Sequence, residues 1–211
     1  MTDPVRPLDG TTDSSEVDSP ARFCDTLRMQ NELELEATDS LFDARLDVVR
    51  AAPPDHGRLE FIVRRPAEGE REHLDEGRLD LGLGLVGDRW AARDERTPIY
   101  MQAQLTLINT RVLAAIEPDR QRWPLAGDQL YVDLDLSIEN LPAGSRLAIG
   151  SAVVEVSETP HTGCAKFSSR FGGDALRWIN SPIGREQRRR GLNARIVEAG
   201  SIRAGDSIHK V

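Results

Sequence analysis

The stretch RLAIGSAVVEVSETPHTGCAKFSSRF, residues 146–171, changes character along its length. Residues 146–158 are rich in Val, Ile and Ala, and Gly150 and Ser151 divide them into two halves, a pattern typical of a β-hairpin. From Cys164 onward the apolar residues are spaced as in a helix. We therefore expect two paired strands that lead into a cysteine at the start of a helix.

The segments on either side extend this division. Three earlier segments have strand composition: residues 59–65, 103–109 and 128–137. The last of them alternates apolar and polar residues, which is typical of a strand with one solvent-facing side. After the cysteine come two more helix-like pieces, the second of which starts at Ser181 and Pro182, a good N-cap followed by a favoured first helical residue. Residues 194–211 return to strand. The sequence predicts a mainly β (α+β) fold with short helices inserted after the cysteine.

Composition limits the kind of protein this is. The chain has 211 residues, 39% of them hydrophobic, enough for one domain with a sizeable core. Residues 1–28 are rich in Asp, Ser, Thr and Pro and predict a disordered leader, so we expect a single domain at residues 29–211. No apolar run approaches the roughly 20 residues of a membrane helix. Two cysteines, Cys24 and Cys164, form neither a disulfide framework nor a zinc motif. We expect a cytoplasmic protein with no membrane partner.

Charge is unevenly distributed along the chain. Residues 160–211 contain ten Lys or Arg and four Asp or Glu, a charge of +6, whereas residues 1–159 carry −14. The basic excess near Cys164 favours the binding of a phosphate or another anion, and the acidic remainder argues against nucleic-acid binding. Ordinary solvated arginines on helix surfaces would give the same count, so charge alone leaves both interpretations open.

Cys164 is the candidate reactive residue. It lies at a predicted helix start, close in sequence to His161, Lys166 and Arg170. A helix N-terminus and positive neighbours both lower the pKa of a thiol. Since Lys166 is only two residues away, on another face of the helix, we expect Arg170 or His161 to lie nearer the thiol. A lone cysteine is often a small buried apolar residue, and a histidine after proline can simply cap a turn, so these alternatives remain.

Several motifs together resemble the MOSC domain, a module named after the C-terminal part of molybdenum-cofactor sulfurases. The motifs occur in the order of the family: LVGDRW at 85–90, LSIENLPAGSRLAIG at 136–150, VEVSETPHTGCAKF at 154–167 and GREQRRRGLNARIVEAGSIRAGDSI at 184–208. The likeness is clearest over residues 58–211. It implies a β-barrel-like fold.

The resemblance also implies a cofactor and a site. The cofactor is the molybdenum cofactor, a molybdopterin, and Cys164 would either carry sulfur or ligate the molybdenum. His161 is a second catalytic candidate because it lies close to Cys164 in sequence. The residues expected to hold the pterin and its phosphate are Lys166, Arg170, Arg185, Arg188, Arg190 and Arg195. Asn140 and Asp88 match family positions near the pocket, although either could instead hold a turn.

The function implied is that of the small stand-alone branch of the family. The 211 residues contain no pyridoxal-phosphate domain, no iron–sulfur or flavin module and no separate N-terminal β-barrel domain. The resemblance implies a protein that binds the molybdenum cofactor or carries sulfur. It also allows a small molybdenum oxidoreductase that acts on N-hydroxylated compounds. Its partner would be a separate electron-donor or sulfur-donor protein. The alternative is a non-catalytic scaffold that binds an anion or a protein.

Overall fold

Seven strands close into a barrel in the computed structural model, which describes Phe42, residues 44–92 and residues 97–211. The strands in these residues are β1 (Gly57–Arg64), β2 (Glu72–Leu74), β3 (Glu76–Asp80), β4 (Gly84–Leu85), β5 (Leu105–Asn109), β6 (Leu130–Asp133), β7 (Arg146–Ile149), β8 (Ala152–Val156), β9 (Leu192–Glu198), β10 (Gly200–Arg203) and β11 (Ser207–Lys210). The barrel order is β11-β7-β8-β9-β5-β6-β1, and β1 pairs with β11 to close it. The expected β-barrel is confirmed.

The remaining strands extend the barrel. β2 pairs with residues 62–64 of β1, beyond Gly57 and Arg58, which pair with β11. Strands β10, β3 and β4 form a second, three-stranded sheet. All strand pairs are antiparallel except β5 and β6, which run parallel because α-helical chain connects them. The predicted hairpin of residues 146–158 is confirmed as β7 and β8, which pair from Arg146 with Glu155 to Ile149 with Ala152.

Six short α-helices accompany the barrel in the described residues. They are α1 (Leu46–Arg50), α2 (Pro98–Met101), α3 (Thr110–Ile116), α4 (Ala165–Phe171), α5 (Gly173–Asn180) and α6 (Pro182–Glu186), with 3₁₀ helices at Arg89–Ala92 and Arg120–Ala126. The helices expected after the cysteine are α4, α5 and α6, inserted between β8 and β9. Ser181 caps α6, since its Oγ accepts a hydrogen bond from the Gly184 amide at 3.0 Å.

Two apolar cores follow from the alternation of the strands. Leu107 and Leu130 are fully buried inside the barrel, where each contributes about 1.5 to 3 kcal/mol by burial. Their neighbours Ile108 and Tyr131 point outward and pack with Trp178 and other helical residues in a second core. The helices therefore cover one outer side of the barrel and fix the position of the chain around Cys164.

The strand predicted over residues 128–137 is shorter than expected and ends at Asp133. The Asp135 carboxylate accepts hydrogen bonds from the amide (2.9 Å) and the hydroxyl (3.1 Å) of Ser137, which turns the chain. Leu134 and Leu136 stay buried although they are outside the strand. Apolar alternation therefore predicted the burial of these residues correctly and the length of the strand wrongly.

All described residues belong to one unit, Thr38–Val211. The predicted leader, residues 1–28, and Cys24 lie outside the described residues. Among the described helices, none is long and apolar enough to cross a membrane.

Candidate functional site

Cys164 is exposed at the start of α4, in the N-cap position. The chain that leads to it is held by Asn180 at the end of α5. The Asn180 side chain accepts a hydrogen bond from the Gly163 amide at 2.9 Å and donates one to the Gly163 carbonyl at 3.1 Å. This two-sided contact fixes the backbone immediately before the thiol, so Cys164 has a defined position although it lies on a loop.

The surroundings of Cys164 favour its thiolate. The Cys164 side chain makes no capping hydrogen bond to the backbone amides at the start of α4. The pKa of Cys164 is nevertheless lowered, chiefly by the backbone amide of Phe167, then by that of Lys166 and by the charges of Arg190 and Arg170, while partial burial opposes them. Of the two residues expected near the thiol, Arg170 and His161, Arg170 is among the charges that lower its pKa. Arg190 acts in the same direction.

A cavity of about 410 Å³, which we call the thiol cavity, surrounds Cys164. Besides the cysteine it is lined by five arginines: Arg65, Arg71, Arg89, Arg170 and Arg190. Lys166 and Glu68 also line it and form an exposed ion pair of 2.7 Å. The cavity is therefore strongly cationic around one exposed thiol.

Four of the five arginines donate hydrogen bonds to four consecutive backbone carbonyls. These carbonyls, of residues 124–127, lie at the C-terminal end of the 3₁₀ helix Arg120–Ala126, where helical carbonyls run short of intrahelical partners; the Pro124 carbonyl also accepts from the Gly127 amide. Each accepts from a different arginine: Pro124 from Arg71 Nε (3.1 Å), Leu125 from Arg170 Nη1 (2.6 Å), Ala126 from Arg190 Nη2 (3.0 Å) and Gly127 from Arg65 Nη1 (2.8 Å). The partial negative charge of the carbonyls offsets part of the repulsion between the guanidinium groups.

Two of the four arginines also have carboxylate partners. Arg65 binds both oxygens of the fully buried Asp88 side chain at 2.9 Å, and Arg190 binds Asp128 at 2.8 Å. Within the described part of the chain, Arg71 and Arg170 take part in no ion pair. Burial lowers the pKa of Arg71, and the nearby positive charge of Arg170 adds to this effect. This half of the thiol cavity thus holds positive charge that an anion would neutralise.

A second hollow adjoins the thiol cavity. It has a volume of about 300 Å³, and Arg65 and Arg89 line both spaces. It is also lined by Trp90 and Tyr100, whose rings stack with centroids 4.8 Å apart. The two spaces together offer a basic end next to the thiol and an aromatic end beyond it.

His161 belongs to another cavity, of about 320 Å³, which we call the histidine cavity. Arg185 and Arg188 line this cavity rather than the thiol cavity, and Arg190 lines both. Burial lowers the pKa of His161 to about 3, and the charge of Arg190 adds to this effect against the opposing Asp128. The imidazole is therefore neutral near neutral pH and does not contribute positive charge to the thiol.

The other sequence-predicted residues have structural partners elsewhere. Arg195 pairs at 2.6 Å with Glu155, its neighbour across β8 and β9, and lines neither the thiol nor the histidine cavity. The Asn140 side-chain amide donates to the carbonyls of Pro54 (2.8 Å) and Asp135 (2.7 Å), so it holds a turn away from both cavities. Asp88 does not line the thiol cavity, but its carboxylate binds the side chain of Arg65, which does. Of the predicted set, the thiol cavity brings together Cys164, Lys166, Arg170 and Arg190.

Sequence reasoning did not single out Arg65, Arg71, Arg89 and Asp128. They lie 36 or more residues before Cys164 in sequence and outside the basic C-terminal segment, so the charge count pointed away from them. Arg65 is the last residue of one predicted strand and Asp128 is the first residue of another, which is the one local signal that could have marked them. Their convergence on Cys164 depends on the pairing of β1 with β6.

Comparisons with known proteins agree with this architecture. Residues 86–209 match the family model described as the MOSC domain. A solved structure of a hypothetical protein is similar with a TM-score of 0.53 and 18% identity, covering 74% of this chain and 68% of the other. The YuaD protein from Bacillus subtilis has a TM-score of 0.50 and 18% identity, covering 72% and 93%. YiiM from Escherichia coli has a TM-score of 0.50 and 21% identity, covering 73% and 69%. None of the curated proteins matches the chain.

Proposed function

Because the chain belongs to the MOSC domain family, a family associated with the molybdenum cofactor, we propose that it binds this cofactor in the thiol cavity. One observation carries the proposal. An exposed cysteine with a lowered pKa stands beside Arg71 and Arg170, two cations that have no carboxylate partner among the described residues. A soft metal ligand and an anion-binding site therefore lie in one cavity.

The residues present suit such a cofactor. A thiolate is the softest ligand that a protein offers to molybdenum. The described residues contain no cluster of three His, Cys, Asp or Glu side chains that could hold a metal ion. A metal at Cys164 would accordingly need its other ligands from a pterin dithiolene. Guanidinium groups bind phosphate through charge-assisted hydrogen bonds, and Arg71 and Arg170 are the candidates for the pterin phosphate.

The protein's own contribution would be to bind and orient. Cys164 would supply a thiolate held in place by Asn180 through Gly163. Arg71 and Arg170 would neutralise the phosphate, while the Asp88 carboxylate holds the side chain of Arg65 in the same cavity. When bound, the cofactor supplies a metal centre that can exchange an oxygen atom and two electrons with a substrate.

We extend the proposal to the reduction of N-hydroxylated compounds. In that reaction the N–O bond breaks and two electrons come from a separate donor protein. One proton goes to the nitrogen, and the second goes to the hydroxyl group, which leaves as water. A sulfur-carrying role is the second form of the proposal. It rests on the exposure of Cys164, because an accessible thiolate can attack the outer sulfur of a donor protein's persulfide, take that sulfur as its own persulfide and release the donor's thiolate.

The test is the molybdenum and pterin content of protein produced in a host that makes the cofactor. Cys164→Ser should change or abolish metal binding, because a hydroxyl is a hard and weakly acidic ligand. Arg170→Ala should lose a charge-assisted contact of about 1.5 to 3 kcal/mol, so that metal and pterin dissociate together. High salt should mimic the arginine variant only, since screening weakens charge contacts and leaves a coordinate bond intact.

Arg195→Ala is the matched control, because it removes an arginine that lies outside the thiol cavity. Its molybdenum and pterin content should equal that of the wild type. If the wild-type protein carries neither component, cofactor binding is refuted and a non-catalytic scaffold becomes the better description. Persulfide on Cys164, measured by mass spectrometry after treatment with a sulfur donor, tests the second form separately.

A further inference from the structure

The histidine cavity contains an imidazole whose two nitrogens have different surroundings. His161 Nδ1 is buried, makes no hydrogen bond in the described part of the chain, and lies 3.5 Å from Asp128 Oδ1. A lone pair on Nδ1 would face the carboxylate charge, whereas a proton there is attracted by it. In the neutral imidazole, Asp128 therefore favours the tautomer with the proton on Nδ1. The other nitrogen, Nε2, is then a hydrogen-bond acceptor.

His161 is not sealed inside the protein. Its side chain is 16% exposed and lines the histidine cavity, and because Nδ1 itself is buried, the exposed part of the ring lies away from Nδ1. The tautomer set by Asp128 thus presents an acceptor to the cavity. A ligand that meets it must donate an N–H or O–H.

The rest of the cavity is apolar with a positive edge. Its apolar surface comes from Ile138, Pro160, Ile179 and Leu192. Arg185, on the short helix α6, is exposed, and its guanidinium group makes no hydrogen bond or ion pair within the described residues. Arg188 donates to the carbonyls of Leu136 and Leu141, and Glu158 is the one carboxylate among the described lining residues. Asp128 neutralises Arg190 at 2.8 Å, so Arg185 and Arg188 stand against Glu158 as the remaining charges. This excess of positive charge favours an anionic group on the ligand.

We propose that the histidine cavity is a second ligand site, which binds a small apolar carboxylate that carries a hydroxyl or amino donor. The donor hydrogen-bonds to His161 Nε2, the apolar body contacts Ile138 and Leu192, and the carboxylate lies by Arg185. The site goes beyond the proposed cofactor function and uses a cavity that Cys164 does not line. Arg190 is the residue that the two cavities have in common.

The experiment uses three probes of the same size class, titrated by calorimetry into the full-length protein. They are 4-hydroxybenzoate, which has donor and carboxylate, benzoate, which lacks the donor, and 4-hydroxybenzyl alcohol, which lacks the carboxylate. We expect 4-hydroxybenzoate to bind at least about tenfold more tightly than either analogue, because each analogue leaves one partner in the site unpaired. Equal affinity of the three probes, or binding of none, would refute the proposal.

Variants locate the bound probe. Arg185→Gln, an exposed substitution that leaves the core intact, should erase the preference for 4-hydroxybenzoate over 4-hydroxybenzyl alcohol. His161→Phe keeps a ring of similar shape and should erase the preference for 4-hydroxybenzoate over benzoate. Arg177→Gln, on the exposed side of α5, is the control and should change neither preference. Retention of both preferences in the first two variants would overturn the assignment.

Two further measurements separate this site from the cofactor site. Cys164→Ser should bind 4-hydroxybenzoate as the wild type does, and a loss of binding would place the probe in the thiol cavity and refute the proposal. The ¹⁵N chemical shifts of the His161 ring should report the Nδ1–H tautomer, and the opposite tautomer would contradict the role given to Asp128. Absence of molybdenum from the protein would leave both results unchanged, so the two proposals fail independently.

Discussion

The guanidinium groups of Arg71 and Arg170 both lie next to the α-carbon of Gly127. A Cβ atom on Gly127 would stand 3.7 Å from Arg71 Nη2 and 3.8 Å from Arg170 Nη1. Two like charges come this close because each is bonded to a backbone carbonyl of the same 3₁₀ helix end. The absence of a side chain at residue 127 leaves a space between them, and this is where an anionic group can accept hydrogen bonds from both.

Gly127→Ala should lower anion affinity and stability together. The residue has φ +90°, a left-handed conformation that costs alanine about 1 to 2 kcal/mol. The new methyl group would also occupy the space between Arg71 and Arg170. Gly144→Ala is the matched control, because Gly144 has φ +87° and no neighbouring atom within 4 Å of an added Cβ. Both variants should melt at a lower temperature, and only Gly127→Ala should reduce the stabilisation that phosphate gives the wild type.

Asp88→Ala should destabilise the fold strongly. The variant leaves the nearly buried Arg65 guanidinium without its carboxylate and removes acceptors for the Arg65 and Trp90 amides. Breaking a buried pair in this way costs about 3 to 5 kcal/mol. Glu155→Ala removes the partner of two arginines that are 41% and 53% exposed, so it should cost less than about 1 kcal/mol. Urea denaturation of both variants gives the comparison, and equal losses would show that Asp88 is not a structural anchor.

The stability of the protein should depend on pH through His161. The folded pKa is about 3, whereas the unfolded chain has the ordinary value near 6.5. Above pH 6.5 both states are neutral and the stabilisation is fully present. As the pH falls from 6.5 toward 3, the unfolded chain takes up a proton that the folded protein excludes, and stability is lost.

His161→Phe should remove this dependence. The difference between wild type and variant in the slope of unfolding free energy against pH should approach about 1.4 kcal/mol per pH unit between pH 6 and 4. Denaturant unfolding at several pH values measures it. Parallel curves for the two proteins would mean that His161 has the same pKa in the folded and unfolded states, which contradicts the shift expected from its burial.

The Cys164 thiol should react with iodoacetamide at mildly acidic pH. Its pKa lies below the ordinary thiol value, with the Phe167 amide as the main cause and Arg170 among the others. Cofactor-free protein should be alkylated at pH 6.5 faster at Cys164 than at Cys24, and the Cys164→Ser variant reports the second thiol alone. Arg170→Gln should slow the reaction of Cys164 at this pH. Arg177→Gln should leave it unchanged, and identical pH profiles for the two cysteines would contradict the idea of an activated thiolate.

Local sequence determined the type of most elements. The alternation around Leu130 and Val132, the glycine turn at residue 150 and the Ser181–Pro182 helix start each act over a few residues, and all three appear in the structure where the sequence predicts them. The position of Cys164 at a helix start is local in the same sense. Its N-cap position lets the amides of residues 166 and 167 lower its pKa, because those groups lie within one turn.

Only the tertiary structure decided which charges surround the thiol. The basic segment after residue 181 contributes Arg190 to the thiol cavity, while Arg185 and Arg188 line the histidine cavity and Arg195 pairs with Glu155. The other positive charges at the thiol come from Arg65, Arg71 and Arg89. The pairing of β1 with β6 brings this part of the chain to the thiol, and the carbonyls of Gly127 and Pro124 bind Arg65 and Arg71 there. Side-chain charge can be read from sequence, but a cluster of like charges forms only where a particular backbone turn supplies the acceptors that hold it together.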